Sequence, residues 1–421
     1  MNQLSLLIAP IVFCVSTISA LAESPIKPGD RIAIVGNTFA DQLRIHGYLE
    51  TLLLNHTRDN PVSIRNLGWG GDMLSARDRP TGFPSEESTL TAHKTDVIIA
   101  CFGMGESFAG EKGVDEFKGQ IRAFIKSHEG KKYNGTSEVR LVLVSPIACE
   151  DIGDLSPAHE KRLGELRTYT QAMRDVASDS SIPFVDLFEP SAYLMNEAVG
   201  PDLTNNGIHL NAYGYWAVGH SFFQQLTIDD RSSDRWVIRI DCQAVTGNGR
   251  GVDVADLSSD QNGIRFQVTE KSAPKLRPPT RQRLPSQLAF ARDTLIVENL
   301  APGKYQLLVD DDPVASASAE DWGKGVPIDS SPAHEIAEQY RAVINNKNLQ
   351  FTYSWKALNQ VHIVGERRTS PSGKALPAEV VEFDKLANQR DKELRSGIKL
   401  KTRSWQLSRV TDPASKTKNN Q

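Results

Sequence analysis

The 421-residue sequence has little of several features that mark special classes of protein. Four cysteines are too few for a disulfide-stapled scaffold. The 48 Lys and Arg nearly balance the 52 Asp and Glu, so the net charge of −4 lacks the basic excess typical of nucleic-acid binders. Collagen-like and fully disordered chains are excluded by 30 glycines and 22 prolines without a repeat. We therefore expect a globular protein of roughly two to three domains.

No apolar run after residue 22 reaches the ~20 residues that a membrane span needs. Before it, positions 4–18 are mostly apolar, and residues 20–22 (Ala-Leu-Ala) have the small-x-small pattern of a cleavage site. We expect a secretory signal peptide at residues 1–22 and export of the mature chain, from Glu23, to the periplasm or the cell exterior. An uncleaved anchor is the alternative, while Phe13 before Cys14 argues against a lipid anchor.

Three cysteines remain in the mature chain, and an odd number cannot all be paired with one another. Cys101 lies in an apolar run and is expected to be buried, although one bridge between Cys101 and Cys149 stays open as an option. Cys242 has no assigned role. No Cys/His spacing indicates zinc and no glycine-rich phosphate motif follows a strand, so we predict no metal or organic cofactor.

From residue 31 to about 226, short β-type runs alternate with longer helical ones, which is typical of a parallel sheet covered by helices on both faces. The pattern predicts strands at 31–35, 62–66, 95–102, 138–145 and 184–187, and helices at 40–55, 114–127, 157–178 and 212–226. In such sheets the chemistry collects at the carboxyl ends of the strands. The loops that begin at Gly36, Leu67 and Gly103, and the segment before the last helix, should therefore share one rim.

After residue 230 the pattern changes to strands joined by tight turns, at 236–241, 263–269, 294–299 and 305–309. Helical periodicity returns at 333–346 and 383–395. We predict an α/β fold with a three-layer parallel sheet at 23–230, a β-rich accessory module at 231–325 and a helical C-terminal extension at 326–421 that ends in a disordered tail.

Four short segments lie on the predicted rim: 36–39 (Gly-Asn-Thr-Phe), 66–72 (Asn-Leu-Gly-Trp-Gly-Gly-Asp), 103–106 (Gly-Met-Gly-Glu) and 206–211 (Asn-Gly-Ile-His-Leu-Asn). In this order they resemble the sequence blocks of the SGNH (GDSL-type) esterase superfamily, over roughly residues 30–226. The resemblance implies an SGNH/flavodoxin-like sheet and a hydrolase that acts on ester bonds. It also implies a nucleophile in the first block, oxyanion donors in the second and third, and a histidine base in the fourth.

Three chemical groups of that family are replaced in this sequence. Thr38 stands in place of the serine nucleophile, Asn206 in place of the carboxylate that orients the base, and Gly105 in place of an asparagine donor; His209 and Gly71 are unchanged. A threonine hydroxyl can act as a nucleophile when it is activated. An amide, however, cannot stabilise the imidazolium that forms during catalysis.

Two interpretations of this site stay open. In the first, Thr38 attacks an ester, His209 is the base, the N–H groups of Thr38 and Gly71 bind the oxyanion, and a nearby carboxylate replaces the missing one: Asp202, Asp72 or Glu106. In the second, hydrolysis is lost and the protein is a pseudoenzyme that binds glycan or serves as a scaffold. Both use the same site, with catalytic positions Thr38, His209 and Asn206 and oxyanion or substrate-binding positions Gly71, Gly105, Asn37 and Glu106.

Structural roles compete with these functional ones. Thr38 could only cap the helix that follows, the glycines could only form turns, and Trp69 could be core rather than a substrate platform. Residues 105–109 (Gly-Glu-Ser-Phe-Ala) nearly match the G-x-S-x-G nucleophile elbow, with Asp186 and His209 downstream. Against that match, the fifth residue is alanine and no helix is predicted directly after Ser107.

The C-terminal half resembles the extension found on SGNH-like secreted proteins of planctomycete type, which are often associated with polysaccharide metabolism. The resemblance is carried by residues 36–40 at the front, and by Trp355, Asn359, Gly365 and residues 382–384 (Glu-Phe-Asp) behind. It implies a carbohydrate ester as the partner, either a small molecule or a polysaccharide. From the residues alone, core packing is the default role of Trp355, Asn359 and His362.

Overall fold

The structure, a computed structural model, describes residues 24–79, 83–156, 158–197, 199–228, 235–358 and 369–410. Its first sheet has five parallel strands in the order β2-β1-β3-β4-β5. The strands are β1 (Arg31–Gly36), β2 (Ser63–Asn66), β3 (Val97–Cys101), β4 (Arg140–Val144) and β5 (Phe184–Val185). This is the flavodoxin-like strand order, and the predicted α/β fold is confirmed. The predicted signal peptide lies outside the described residues.

The central strands form because their sequences suit burial on both faces. β3 reads Val-Ile-Ile-Ala-Cys, and all five of its residues are buried. An unbroken run of apolar, mostly β-branched residues is what a parallel strand covered by helices on both sides requires. Such runs made the first four strands easy to predict to within two residues, whereas β5 has only two of its four predicted residues.

Seven helices accompany this sheet in the described ranges: α1 (Thr38–His46), α2 (Tyr48–His56), α3 (Glu86–His93), α4 (Val114–His128), α5 (His159–Asp179), α6 (Phe188–Met195) and α7 (Ala212–Thr227). α1, α2 and α7 share a core on one face of the sheet, and α4 and α5 share a core on the other. The single helix predicted at 40–55 is wrong, because Gly47 breaks it with φ +66. A side chain there would strike Asn345 Oδ1 at 2.2 Å.

Two further sheets follow in the chain. The second has strand order β13-β10-β6-β7 and the third β12-β11-β14-β9-β8. Their strands are β6 (Val237–Asp241), β7 (Thr246–Arg250), β8 (Val252–Asp260), β9 (Gly263–Glu270), β10 (Asp293–Glu298), β11 (Lys304–Val309), β12 (Asp312–Ser318), β13 (Val326–Ile328) and β14 (Thr402–Arg409), with α8 (Ala319–Lys324) between β12 and β13. The β-rich accessory part predicted from the sequence is thus present.

Strand β14 comes from the region that was predicted as a helical extension. It pairs with both β11 and β9 and so lies in the middle of the third sheet. Its alternating pattern buries Arg403, Trp405 and Leu407 on one face, a period-two signal that the sequence analysis missed. The domain boundaries at residues 230 and 325 stay a prediction.

The last two helices, α9 (Pro332–Trp355) and α10 (Pro371–Leu394), pack against each other, and α9 also contacts α1, α2 and β2. Lys347 of α9 is completely buried, where its Nζ pairs with Glu50 and donates to Ile64 O at 2.9 Å. Asn348 Nδ2 donates to Glu50 Oε2 at 2.9 Å. The predicted helix ends at 346 because Lys347 and Asn348 are polar and break the apolar periodicity. In the structure the helix continues, since both residues face a buried carboxylate instead of an apolar core.

Cys101, Cys149 and Cys242 are all free thiols, so the bridge between Cys101 and Cys149 does not form. Burial raises the pKa of the Cys101 thiol, as expected for a small residue in an apolar strand. Within the part of the chain that the structure describes, no helix combines the length and the apolar character needed to cross a bilayer.

Candidate active site

Thr38 is the first residue of α1 and directly follows the turn at the carboxyl end of β1. Gly36 makes this turn with φ +132, and a Cβ there would strike Cys101 O at 2.1 Å, so only glycine fits. Asn37 is the N-cap of α1, since its Oδ1 accepts from Phe39 N at 3.0 Å. The cap is therefore Asn37 and not Thr38, which leaves the Thr38 hydroxyl free to face the neighbouring loop.

That neighbouring loop is the second block, residues 66–72. Asn66 fixes its start, because Nδ2 donates to Ala40 O at 2.7 Å and Oδ1 accepts from Gly68 N at 2.9 Å. At its end, the exposed Gly71 N–H donates to Thr38 Oγ1 at 3.2 Å. The first two blocks therefore meet, and a backbone donor points at the predicted nucleophile.

Trp69 and Asp72 of the same loop are held by charged side chains. Arg79 makes two hydrogen bonds to Asp72, at 2.8 and 2.6 Å, and its guanidinium lies 4.6 Å from the centroid of the Trp69 ring. Lys356 Nζ lies 4.8 Å from the same ring and bonds Asp41 Oδ1 at 2.7 Å. Two cations thus contact the Trp69 ring, one of them from the C-terminal part of the chain.

In the third block, Gly105 offers no side-chain donor, and the space beside it is occupied. A Cβ at Gly105 would lie 2.7 Å from Met73 Cγ and 2.9 Å from Met73 Sδ. The Met73 thioether therefore lies where a side chain at position 105 would begin. The oxyanion donors left at the site are backbone N–H groups.

Glu106 was predicted as a substrate-binding residue, and the structure gives it another role. Its Oε1 accepts from Leu74 N at 2.8 Å and its Oε2 from Gly103 N at 2.9 Å. It is 8% exposed, and burial raises the pKa of its carboxyl. Both oxygens are already used to join the second and third blocks, which removes Glu106 from the set of substrate ligands.

Ser107, in the alternative nucleophile elbow, is fully buried. Its hydroxyl donates to Met104 O at 2.7 Å and accepts from Arg162 Nη2 at 2.6 Å. A buried hydroxyl with both roles filled cannot reach a substrate. The structure therefore gives Ser107 a role in holding its loop and argues against the elbow.

His209 and Asn206 of the fourth block form an exposed pair before α7. Asn206 Oδ1 accepts from His209 N at 3.0 Å, and Asn206 Nδ2 lies 2.9 Å from His209 Nδ1. Because Oδ1 is committed to the backbone, Nδ2 is the donor toward the ring. A neutral imidazole that accepts at Nδ1 carries its proton on Nε2. The pair therefore holds His209 in the tautomer whose Nε2 cannot accept a proton.

The helix that follows the fourth block, α7, packs on α1, the helix that follows the first block. Tyr215 Oη donates to Phe39 O at 3.1 Å, and the two rings stack with centroids 5.7 Å apart. Phe39 follows Thr38 directly, and Tyr215 lies in the second turn of α7. Among the described residues, no hydrogen bond joins Thr38 to His209.

The three carboxylates considered as replacements do not contact His209 by a hydrogen bond in the described structure. Asp72 is bound by Arg79, and Glu106 by Leu74 N and Gly103 N. Asp202 is exposed and accepts a bond from Asn211 Nδ2 through its backbone carbonyl, at 2.7 Å. Asn206 remains the partner of His209.

Sequence reasoning missed Glu150, which organises the loop that carries His209. Glu150 is 4% exposed and accepts from Leu203 N at 2.8 Å, Thr204 N at 2.7 Å and Thr204 Oγ1 at 2.6 Å. The signal was an acidic residue directly after the apolar segment that follows β4. Such a residue is buried only when backbone donors satisfy it.

Trp355 and Lys356 were also missed as neighbours of the site. Trp355 packs edge-to-face on Trp69, with centroids 5.7 Å apart. Nothing local in the sequence could bring residues 355 and 69 together. Asn359, His362 and Gly365, named in the sequence analysis, lie outside the described residues.

Comparison with known proteins bears on the family and the fold. Residues 29–217 match the family described as GDSL-like Lipase/Acylhydrolase. A gut microbial diltiazem-metabolizing enzyme has a similar structure over 92% of this chain and 99% of its own, with a TM-score of 0.66 at 17% identity, which shows a shared fold. None of the curated proteins matches the sequence significantly.

Two other solved structures are similar over about half of this chain. An acetylxylan esterase from Geobacillus stearothermophilus (15% identity, TM-score 0.38) covers 49% of this chain and 97% of its own. A putative GDSL-like lipase from Parabacteroides merdae (15% identity, TM-score 0.40) covers 49% and 100%. The family match and the parallel sheet together identify residues 29–217 as a domain of the SGNH, or GDSL-like lipase/acylhydrolase, family.

Proposed function

We propose that the protein is a carboxyl-ester hydrolase of low turnover that acts on acylated carbohydrate. The observation that carries the proposal is the hydrogen bond from Gly71 N–H to Thr38 Oγ1, at 3.2 Å. This bond places a backbone N–H directly beside a hydroxyl at a strand-to-helix turn, so the same N–H can turn to the oxygen of an ester carbonyl that the hydroxyl attacks.

In the proposed reaction, His209 acts in the tautomer that carries its proton on Nδ1: Thr38 Oγ1 attacks the ester carbonyl, and the Thr38 proton passes to the free Nε2 of His209. The N–H groups of Thr38 and Gly71 stabilise the oxyanion, and collapse of the intermediate expels the sugar alcohol, which takes the proton from His209. Water then attacks the Thr38 acyl ester with His209 as base, and the carboxylic acid leaves. The reaction consumes one water and needs no other co-reactant.

Three features make this reaction slow. The Thr38 methyl group crowds the attack, position 105 provides no side-chain donor, and Asn206 holds His209 in the unproductive tautomer. In serine proteases, the change of the orienting carboxylate to an amide alone lowers kcat by about 10⁴. Losses of residues that act together are not additive, so some turnover is expected to remain.

A second function is favoured by the Asn206–His209 pair itself. With its proton on Nε2, His209 is a hydrogen-bond donor toward the cleft, which suits a carbonyl or hydroxyl oxygen of a bound ligand. On this hypothesis the site binds an acylated sugar without cleaving it.

The test is hydrolysis of short-chain aryl acetates and acetylated oligosaccharides by the purified mature protein and by Thr38→Ala and His209→Ala. We expect slow turnover that both substitutions abolish, and an acyl group on Thr38 detected by mass spectrometry after rapid quenching. Thr91→Ala, an exposed threonine of α3, is the matched control and should behave as wild type. Turnover unchanged in Thr38→Ala would refute the proposed nucleophile.

Binding of acetylated sugar without turnover in the wild type would favour the second function.

For location, we propose that the protein is exported after removal of residues 1–22. Intact-mass analysis of secreted protein should then give an N-terminus at or near Glu23, and a full-length cell-associated product would contradict export.

A further inference from the structure

The Gly71 N–H that faces Thr38 lies in a tight turn that runs from Trp69 to Asp72. Asp72 N donates to Trp69 O at 3.0 Å, and this bond closes the turn. Gly71 is one of its two central residues and has φ +86, a left-handed backbone that favours glycine. The direction of the Gly71 N–H therefore depends on how the two ends of the turn, Trp69 and Asp72, are held.

Residues of the family domain hold the backbone of this turn and its Asp72 end. Trp69 N donates to Gly36 O at 2.9 Å, which joins the turn to the carboxyl end of β1. Arg79 donates to both carboxylate oxygens of the buried Asp72. Arg79 and Phe83 also contact the half-buried Trp69 ring.

The C-terminal part of the chain contacts the same ring with two consecutive residues. Trp355, the last residue of α9, packs edge-to-face on Trp69 with centroids 5.7 Å apart. Lys356 Nζ lies 4.8 Å from the Trp69 centroid, a distance at which the ring attracts an ammonium group. α9 is itself fixed, because its buried Lys347 pairs with Glu50 of α2. An anchored helix thus places Lys356 on the ring.

Lys356 also binds the helix that carries Thr38. Its Nζ donates to Asp41 Oδ1 at 2.7 Å, and Asp41 lies in the first turn of α1. The Lys356 and Asp41 side chains are 22% and 9% exposed, so salt and water screen this pair less than a surface pair. One ammonium group therefore contacts both the turn that carries the N–H donor and the helix that carries the hydroxyl.

We infer that Lys356 is a positioning residue of the active site, which holds the Gly71 N–H beside Thr38 Oγ1 by contacting the Trp69 ring and Asp41 together. The inference adds a residue to the site of the proposed function, and only its kinetic part rests on that function. It makes the oxyanion donor of the family domain, residues 29–217, depend on a side chain from outside that domain.

The first test uses no substrate. Exchange of the Gly71 amide proton with solvent is measured by NMR on the full mature chain labelled with ¹⁵N-glycine. Lys356→Met removes the charge and keeps the length of the side chain, and we expect Gly71 to exchange about three- to thirtyfold faster, the factor that a cation–π contact is worth. Lys356→Arg keeps a cation and should restore wild-type exchange.

Two controls separate positioning from a general loss of stability. The amide of Gly219, buried in α7, is the internal reference and should exchange at the wild-type rate in Lys356→Met. Lys385→Met removes an exposed lysine of α10 that pairs with Glu382, and should leave Gly71 exchange unchanged. Equal acceleration at Gly71 and Gly219, or an equal effect of Lys385→Met at Gly71, would overturn the inference.

The second test is turnover of aryl acetates. Because the Gly71 N–H acts on the oxyanion, we expect Lys356→Met to lower kcat about three- to thirtyfold with KM unchanged, and Lys356→Arg to recover it. A rise in KM at constant kcat, or wild-type Gly71 exchange in Lys356→Met, would refute the positioning role. A wild type without turnover, together with faster Gly71 exchange in Lys356→Met, would refute the proposed function and leave the positioning role standing.

Discussion

The side chain of Asn206 places its amide nitrogen, and not its oxygen, against the ring of His209, with Nδ2 and Nδ1 2.9 Å apart. The oxygen is held on the other side by His209 N. The residue that should orient a general base therefore orients a hydrogen-bond donor. The chemistry of the site depends on this relationship more than on the exchange of serine for threonine.

Asn206→Asp should convert His209 into a base. A carboxylate would accept from Nδ1–H, leave Nε2 free to take a proton, and stabilise the imidazolium. We expect kcat on aryl acetates to rise by up to about 10⁴. Asn205→Asp adds the same charge at the next exposed position and should change kcat little; an equal gain there would show a general charge effect.

Gly105→Asn alone should fail to add an oxyanion donor, because its Cβ would begin 2.7 Å from Met73 Cγ. We expect a lower Tm and no gain in rate. Gly105→Asn with Met73→Ala makes room for the amide and should raise kcat by about 10²–10³. Gly105→Ala with Met73→Ala controls for the space, and a gain in that variant would argue against donation by the amide.

Lys347→Met should strongly destabilise the protein, because it leaves Glu50 buried without its cation. Removal of one partner of a buried pair costs about 3–5 kcal/mol of unfolding free energy. Adding Glu50→Leu should recover part of this loss. Lys324→Met, from an exposed pair with Glu320, is the control and should leave the urea midpoint unchanged. A small effect of Lys347→Met would show that α9 is not anchored by this pair.

His46→Phe should lessen the destabilisation of the protein by acid. Burial, with a smaller contribution from Arg341, lowers the pKa of His46 from 6.5 to about 4. Between these values the unfolded chain binds more protons, so this group's contribution to stability falls as pH drops from about 6.5 toward 4. The Tm of His46→Phe minus that of the wild type should therefore be larger at pH 4.5 than at pH 7.5.

Tyr48→Phe, next in the same aromatic stack, is the control for that measurement. Burial raises the pKa of Tyr48, so it does not titrate in acid. Its Tm difference from the wild type should be the same at both pH values. A constant difference for His46→Phe would contradict the assigned titration.

Local patterns predicted the first sheet well because its strands are short apolar runs, such as 97–101, bounded by polar loops. They failed where tertiary contacts decide the structure. Gly47 ends a helix with a left-handed backbone, at a place where Asn345 leaves no room for a side chain. The helix α9 continues through polar Lys347 because this residue pairs with the buried Glu50.

For the candidate site, the order of the four blocks was enough to place Thr38 beside Gly71. Sequence could not show that Glu106 accepts from Leu74 N and Gly103 N, because backbone N–H groups have no sequence signature. Nor could it show which atom of Asn206 faces His209, since that depends on a backbone turn. The place of Trp355 at the site could not be predicted, because its contact with Trp69 joins residues 286 positions apart in the chain.

The position of β14 between β9 and β11 affects how the protein is made. During synthesis, the facing edges of those two strands stay unpaired until residues 402–409 leave the ribosome, although every other strand of the described residues emerges earlier. Open strand edges invite pairing with other chains. The accessory part therefore stays open to pairing with other chains until residues 402–409 are available, and a chain whose synthesis stops before residue 402 would carry an unfinished sheet.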